Sequence, residues 1–155
     1  MITAGNPLPQ FSLQDDSGTT VTEKSLLGKW SVLYFYPKDD TPGCTTEACS
    51  LRDAQKDFLE KGVSIYGISK DSVKSHVKFR EKFHLTFPLL ADVETTMAQA
   101  FGVWVEKSMY GKKYMGMERS TFIVNPEGTI VAVYPKVDPV DHGPFLLQQL
   151  AELMP

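Results

Sequence analysis

Short apolar runs alternate with segments of helical periodicity along the 155 residues, the pattern expected of an α/β domain. Phe11–Gln14 and Thr19–Thr22 flank Asp15-Asp16-Ser17-Gly18, a turn-forming set, and so predict an N-terminal β-hairpin. Trp30 to Tyr36 is rich in aromatic and β-branched residues and predicts a strand buried on both faces, stopped by Pro37. From Thr45 to Lys61, Ala48, Leu51, Ala54, Phe58 and Leu59 recur at helical spacing, and Gly62 follows as a stop. Val63–Ile68 reads as the next buried strand. Ser72–Phe83 reads as a helix capped by Asp71 or Ser69. Phe87–Leu90 predicts a short strand, and Glu94–Phe101 a helix ended by Gly102. Thr121–Val124 and Ile130–Tyr134 form a strand pair joined through Asn125-Pro126-Glu127-Gly128, and Pro144–Leu153 closes the chain as an amphipathic helix.

The order implies a mixed central β-sheet flanked by helices, in a single domain spanning 1–155. No repeat, low-complexity segment or long linker interrupts it. Sheets of this kind carry reactive groups where loops leave the carboxyl ends of central strands. The turn after Tyr36 is such a place, and it leads to Cys44.

Composition changes this picture little. The net charge of −3 argues against general nucleic-acid binding, which needs a basic face. No apolar run is long enough for a membrane span, and the first residues lack the basic-then-apolar pattern of a secretory signal. Cytoplasm is the favoured location. The cysteines matter more: there are two, Cys44 and Cys49. A close pair in a reducing compartment is more often redox-active or metal-binding than structural.

The thiolate is the reactive form of cysteine, and the first turn of a helix favours an anion. Cys44 falls about where such a turn begins, with Thr41 and Thr45 as nearby hydroxyl donors. Asp39, Asp40 and Glu47 oppose a thiolate there, and Lys38 and Arg52 favour it. A further cation is needed from elsewhere in the fold, and Arg119, at the start of a late strand, is the candidate. In one regular helix, residues five apart are separated by about 7.5 Å of rise and roughly 140° of rotation. Their Cα atoms then lie about 8–9 Å apart, beyond disulfide reach. A bond between Cys44 and Cys49 therefore requires the helix to unwind.

The stretch from Phe35 to Asp53, with Pro37, Thr41 and Cys44 in the spacing Pro-x3-Thr-x2-Cys, closely resembles the peroxiredoxin Q or bacterioferritin comigratory protein group. The likeness extends to Gly5…Pro9…Phe11-Ser12-Leu13, Gly67 to Ser72, Phe87 to Asp92, and Tyr114 to Phe122. It implies a thioredoxin-like fold and hydroperoxide reduction without metal or organic cofactor. On that likeness Cys44 is the peroxidatic cysteine, passing through a sulfenic acid, and Cys49 resolves it as a disulfide that a thioredoxin-type dithiol reduces. Thr41 would bind substrate and thiolate, Arg119 would stabilise the anion, and Pro37, Pro42 and Gly43 would wall the substrate pocket. The likeness also implies a monomer. Asn6 and Gln10 depart from it, standing where acidic residues are common.

Three other readings compete for the cysteines. A structural disulfide over so short a loop would restrain little chain entropy. A zinc site lacks ligands, because His76, His84 and His142 show no suitable spacing with the pair. A disulfide carrier on the same fold would want Cys-x-x-Cys. The histidines read as surface or packing residues, Trp30 and Trp104 as core or near-core. Met109, Met115 and Met117, with Tyr110 and Tyr114, read as loop packing or as an apolar docking edge.

Overall fold

A computed structural model describes all residues from 1 to 155. The strands are β1 (Ser12–Asp15), β2 (Thr20–Thr22), β3 (Trp30–Phe35), β4 (Val63–Ser69), β5 (Leu89–Ala91), β6 (Trp104–Met109), β7 (Lys112–Met117), β8 (Ser120–Val124) and β9 (Ile130–Tyr134). The helices are α1 (Pro42–Asp53), α2 (Gln55–Glu60), α3 (Val73–Phe83), α4 (Thr96–Phe101) and α5 (His142–Leu153). Seven strands form one mixed sheet in the order β2-β1-β5-β4-β3-β8-β9, and β6 and β7 form a separate ribbon. The fold is thioredoxin-like.

Strand β3 lies at the heart of the sheet, parallel to β4 and antiparallel to β8. Side chains alternate across a strand, and here both sets are covered. Val32 and Tyr34 join the apolar cluster that includes Ala48 and Leu51 of α1, Phe79 of α3 and Leu146 of α5. Leu33 and Phe35 join the opposite cluster, with Phe101 of α4 and Phe122 of β8. The expectation of a strand buried on both faces therefore holds, and it fixes where the following loop emerges.

The expected helix from Thr45 to Lys61 is two helices. It begins earlier, at Pro42, because proline's fixed φ and missing N–H suit a first helical turn. It breaks at Ala54, whose ψ is near zero, and α2 then carries Phe58 into the cluster around Val63 and Ile65 of β4. The cap of α3 also differs from the expectation. Ser72 accepts the Ser75 N–H, whereas the Ser69 hydroxyl donates to Asp71.

The Met and Tyr cluster is not loop packing. It forms the β6–β7 ribbon, turned by Tyr110 and Gly111, both at positive φ as a two-residue hairpin turn requires. Met109, Tyr110, Tyr114 and Met115 are exposed on it, and Met117 is buried at its base. No helix is long and apolar enough to cross a membrane.

Candidate active site

Thr41 is the N-cap of α1, so Pro42, Gly43 and Cys44 form its first turn. Cys44 is buried, Cys49 is partly exposed, and both are free thiols on this helix. The helix brings unpaired backbone N–H groups to the neighbourhood of the Cys44 sulfur. Arg119, in the short connection from β7 to β8, points to that turn. Its Nη2 lies 3.3 Å from Cys44 Sγ.

The same guanidinium is held by Glu47, with Nη1 2.7 Å from Oε1. Glu47 stands three residues after Cys44, hence on the same helix face, and is fully buried. Burial pushes its carboxyl up to about 7 against the lowering effect of Arg119. Burial alone would lower Arg119, but Glu47 and Cys44 outweigh it and the guanidinium is raised above its ordinary value. Glu47 Oε2 has no hydrogen-bond partner. His142 Nε2 stands 3.7 Å from it and 2.8 Å from the Thr121 hydroxyl. Burial, reinforced by Arg119, depresses His142 to about 4, so at neutral pH the ring is uncharged and forms no ion pair with Glu47.

Gly43 explains how the guanidinium fits. A Cβ at this position would stand 3.1 Å from Arg119 Nη2 and 3.8 Å from Pro139 Cγ. A larger residue would press on the group that faces the sulfur.

Of the residues singled out from sequence, the fold brings Cys44, Gly43, Pro42 and Arg119 together. The Thr41 hydroxyl is turned away from the expected contact: it donates to the Lys38 carbonyl at 2.8 Å. That leaves its lone pairs as acceptors. Arg52 does not serve Cys44 either, because it bonds the Phe83 carbonyl and Asp53. Asp40 pairs with Lys82 at the surface, and Asp39 turns inward to His76. Pro37 lies between the buried Tyr36 and this loop. Glu47 carries more than its sequence reading as an opposing charge. Its position three after Cys44, on a face otherwise formed by Ala48 and Leu51, was the available signal. Nothing in the spacing pointed to His142. No three His, Cys, Asp or Glu side chains converge as a metal-holding group.

The AhpC/TSA family model matches residues 4–133. The peroxiredoxin Bcp of Bacillus subtilis is 47% identical over 152 residues, covering 98% of this chain and 97% of that protein. The chain belongs to the peroxiredoxins of the AhpC/TSA family. A putative peroxiredoxin bcp of Coxiella burnetii is 50% identical over 136 residues, covering 88% of this peroxiredoxin and 90% of its relative. Among solved structures, the bacterioferritin comigratory protein of Xanthomonas campestris superposes with a TM-score of 0.89 at 39% identity, covering 96% of this chain and 99% of that one. That structure concerns alkyl peroxide reduction and a trapped intermediate. The peroxiredoxin fold therefore presents a cysteine, a guanidinium and a helix N-terminus at one point.

Proposed function

We propose that this thiol peroxidase reduces hydrogen peroxide and organic hydroperoxides at Cys44, using Cys49 as resolving thiol and a thioredoxin-type dithiol as reductant. The observation that carries the assignment is the Arg119 guanidinium 3.3 Å from Cys44 Sγ at the first turn of α1. The cation and the helix terminus both favour a thiolate and the negative charge that develops on the peroxide. The alkyl peroxide reduction ascribed to the Xanthomonas relative supports organic substrates.

In the first step the Cys44 thiolate attacks one peroxide oxygen and the O–O bond breaks. Sulfur is oxidised to a sulfenic acid, and the departing alkoxide or hydroxide takes up a proton. The Thr41 hydroxyl, donating to the Lys38 carbonyl, accepts the hydroperoxide O–H. Arg119 neutralises the charge shared between sulfur and oxygen. Pro42 and Gly43, with Pro37, border the approach. In the second step the Cys49 thiolate attacks the sulfenic sulfur, the S–O bond breaks, a disulfide forms, and the departing hydroxide takes up a proton to leave as water. A dithiol then returns both thiols and is itself oxidised.

Because Cys44 and Cys49 share α1, their Cα atoms stand about 8–9 Å apart by helix geometry, and the disulfide of the second step needs that helix to unwind. The chain acts as a cytoplasmic monomer in this reading. Mass spectrometry after one equivalent of peroxide tests the scheme. The expected product joins the Cys44 and Cys49 peptides with loss of the two thiol hydrogens. Cys44→Ser abolishes turnover. Cys49→Ser still forms the sulfenic acid but stalls with thioredoxin; wild-type turnover by that variant would remove Cys49 from the scheme.

A further inference from the structure

A second set of buried polar groups lies beneath the loop joining β3 to α1. His76 of α3 is completely enclosed and Asp39 is 7% exposed, and Nδ1 of the ring lies 2.7 Å from Asp39 Oδ2. The other ring nitrogen, Nε2, lies 2.9 Å from the Leu90 carbonyl oxygen. A carbonyl oxygen only accepts, so Nε2 carries a hydrogen. Asp39 receives the Tyr36 hydroxyl on Oδ1 at 2.6 Å and the Ser75 hydroxyl on Oδ2 at 2.8 Å. A carboxyl group taking donors on both oxygens is favoured as a carboxylate. Nδ1 also has the Tyr36 hydroxyl oxygen 3.5 Å away, so the ring is held at both nitrogens. On its backbone side Asp39 gives its N–H to Asp71 Oδ2 at 2.9 Å.

The loop's other side-chain holds are the solvent-exposed Asp40–Lys82 pair and the Thr41 hydroxyl on the Lys38 carbonyl. Pro37 and Pro42 have no N–H, and Asp40 sits at φ +54, a left-handed conformation that a non-glycine residue keeps only where its surroundings impose it. Beyond it, the Thr41 carbonyl accepts the Thr45 N–H at 2.8 Å, opening α1. A bonded path therefore runs from β5 through His76 and Asp39 to the turn that carries Cys44.

We propose that Asp39 and His76 are a positioning pair for peroxide reduction, clamping the β3–α1 loop so that Thr41 and Cys44 keep their places opposite Arg119. The proposal rests on Cys44 as the reacting thiol. Neither residue of the pair touches the reacting atoms. Their effect is geometric, and displacement by about 1 Å is able to cost up to ~100-fold in rate. Partial relaxation of the loop should cost about tenfold.

The test uses Asp39→Asn, which keeps size but removes the charge and puts a donor N–H2 where one oxygen accepted, and His76→Gln. Arg80→Met serves as control. It breaks another ion pair of the same helix, Arg80 to Asp16 at 2.8 Å, away from the loop. The readouts are the second-order rate with hydrogen peroxide, the melting temperature, and the 15N spectrum of the His76 ring. The expected result is a rate loss of about tenfold for both loop variants, none for Arg80→Met at equal or greater loss of melting temperature, and a wild-type ring with its hydrogen on Nε2. Rates within about twofold of wild type, an equal loss in Arg80→Met, or a ring without a hydrogen on Nε2 would overturn the proposal. If His76→Gln does not fold, Asp39→Asn and the ring spectrum decide. Turnover by Cys44→Ser would instead remove the assignment of Cys44.

Discussion

Gly43→Ala separates chemistry from stability with one methyl group. Gly43 lies in the first turn of α1 at an ordinary negative φ, so alanine is conformationally welcome and should favour the helix by up to about 1 kcal/mol. Its Cβ, however, would stand 3.1 Å from Arg119 Nη2, tighter than normal packing. Glu47 grips the other nitrogen at 2.7 Å, so the guanidinium cannot swing aside without losing that bond. The relief is a retreat from the sulfur of about 0.5 Å. Starting from 3.3 Å at an effective dielectric of about 20, this weakens the attraction for a thiolate by roughly 0.7 kcal/mol, or about threefold in rate. Loss of the directed N–H to sulfur contact extends the effect toward tenfold, by about another 0.7 kcal/mol. Stopped-flow measurement of thiol consumption by hydrogen peroxide, alongside thermal denaturation, checks both signs. The variant should melt no lower than wild type and react about three to ten times more slowly. A wild-type rate would refute the claim that the fit of Arg119 against Gly43 sets reactivity.

Glu47 and His142 make opposite demands on pH. Glu47 is raised from 4.5 to about 7 in the folded chain, so its contribution is full below pH 4.5 and is lost as pH rises to 7. His142 is depressed from 6.5 to about 4, so its contribution is full above pH 6.5 and is lost as pH falls to 4. The two slopes cancel over most of that window. Glu47→Gln should therefore expose a loss of stability on acidification, and His142→Asn a loss on alkalinisation, each on the order of 2 kcal/mol. Urea denaturation from pH 4 to 7.5 reads this; parallel curves for both variants would contradict it. Hydrogen exchange offers a separate check on helix unwinding. Amides from Thr45 to Asp53 should lose protection on oxidation, and equal protection in both redox states would remove that step.

Much of the fold was legible because burial leaves a periodic trace. Tyr34 and Phe35 face opposite clusters, so β3 reads as a continuous apolar run. The helices with one covered face show their spacing, and the cysteine motif could be placed past a central strand. The start of α1 was displaced because Pro42 is equally at home as a loop residue and as a first helical residue. The β6–β7 ribbon was hidden for a different reason: its strands are largely exposed and so lack an apolar alternation.

Cys44 and its relation to Cys49 belong to the sequence alone, because their separation along a helix is a local quantity. That geometry already demands unwinding before the sulfurs meet. What surrounds Cys44 belongs to the tertiary structure. Arg119 lies 75 residues away in the chain, and only the pairing of β8 with β3 brings it to the first turn of α1. The same folding buries Glu47, changes it from an apparent opponent of the thiolate into the anchor of its cation, and turns Asp39 inward onto His76. Charge adjacent in sequence was a poor guide, since electrostatic effect depends on distance and burial in space, and both are set only when the helices close over the sheet.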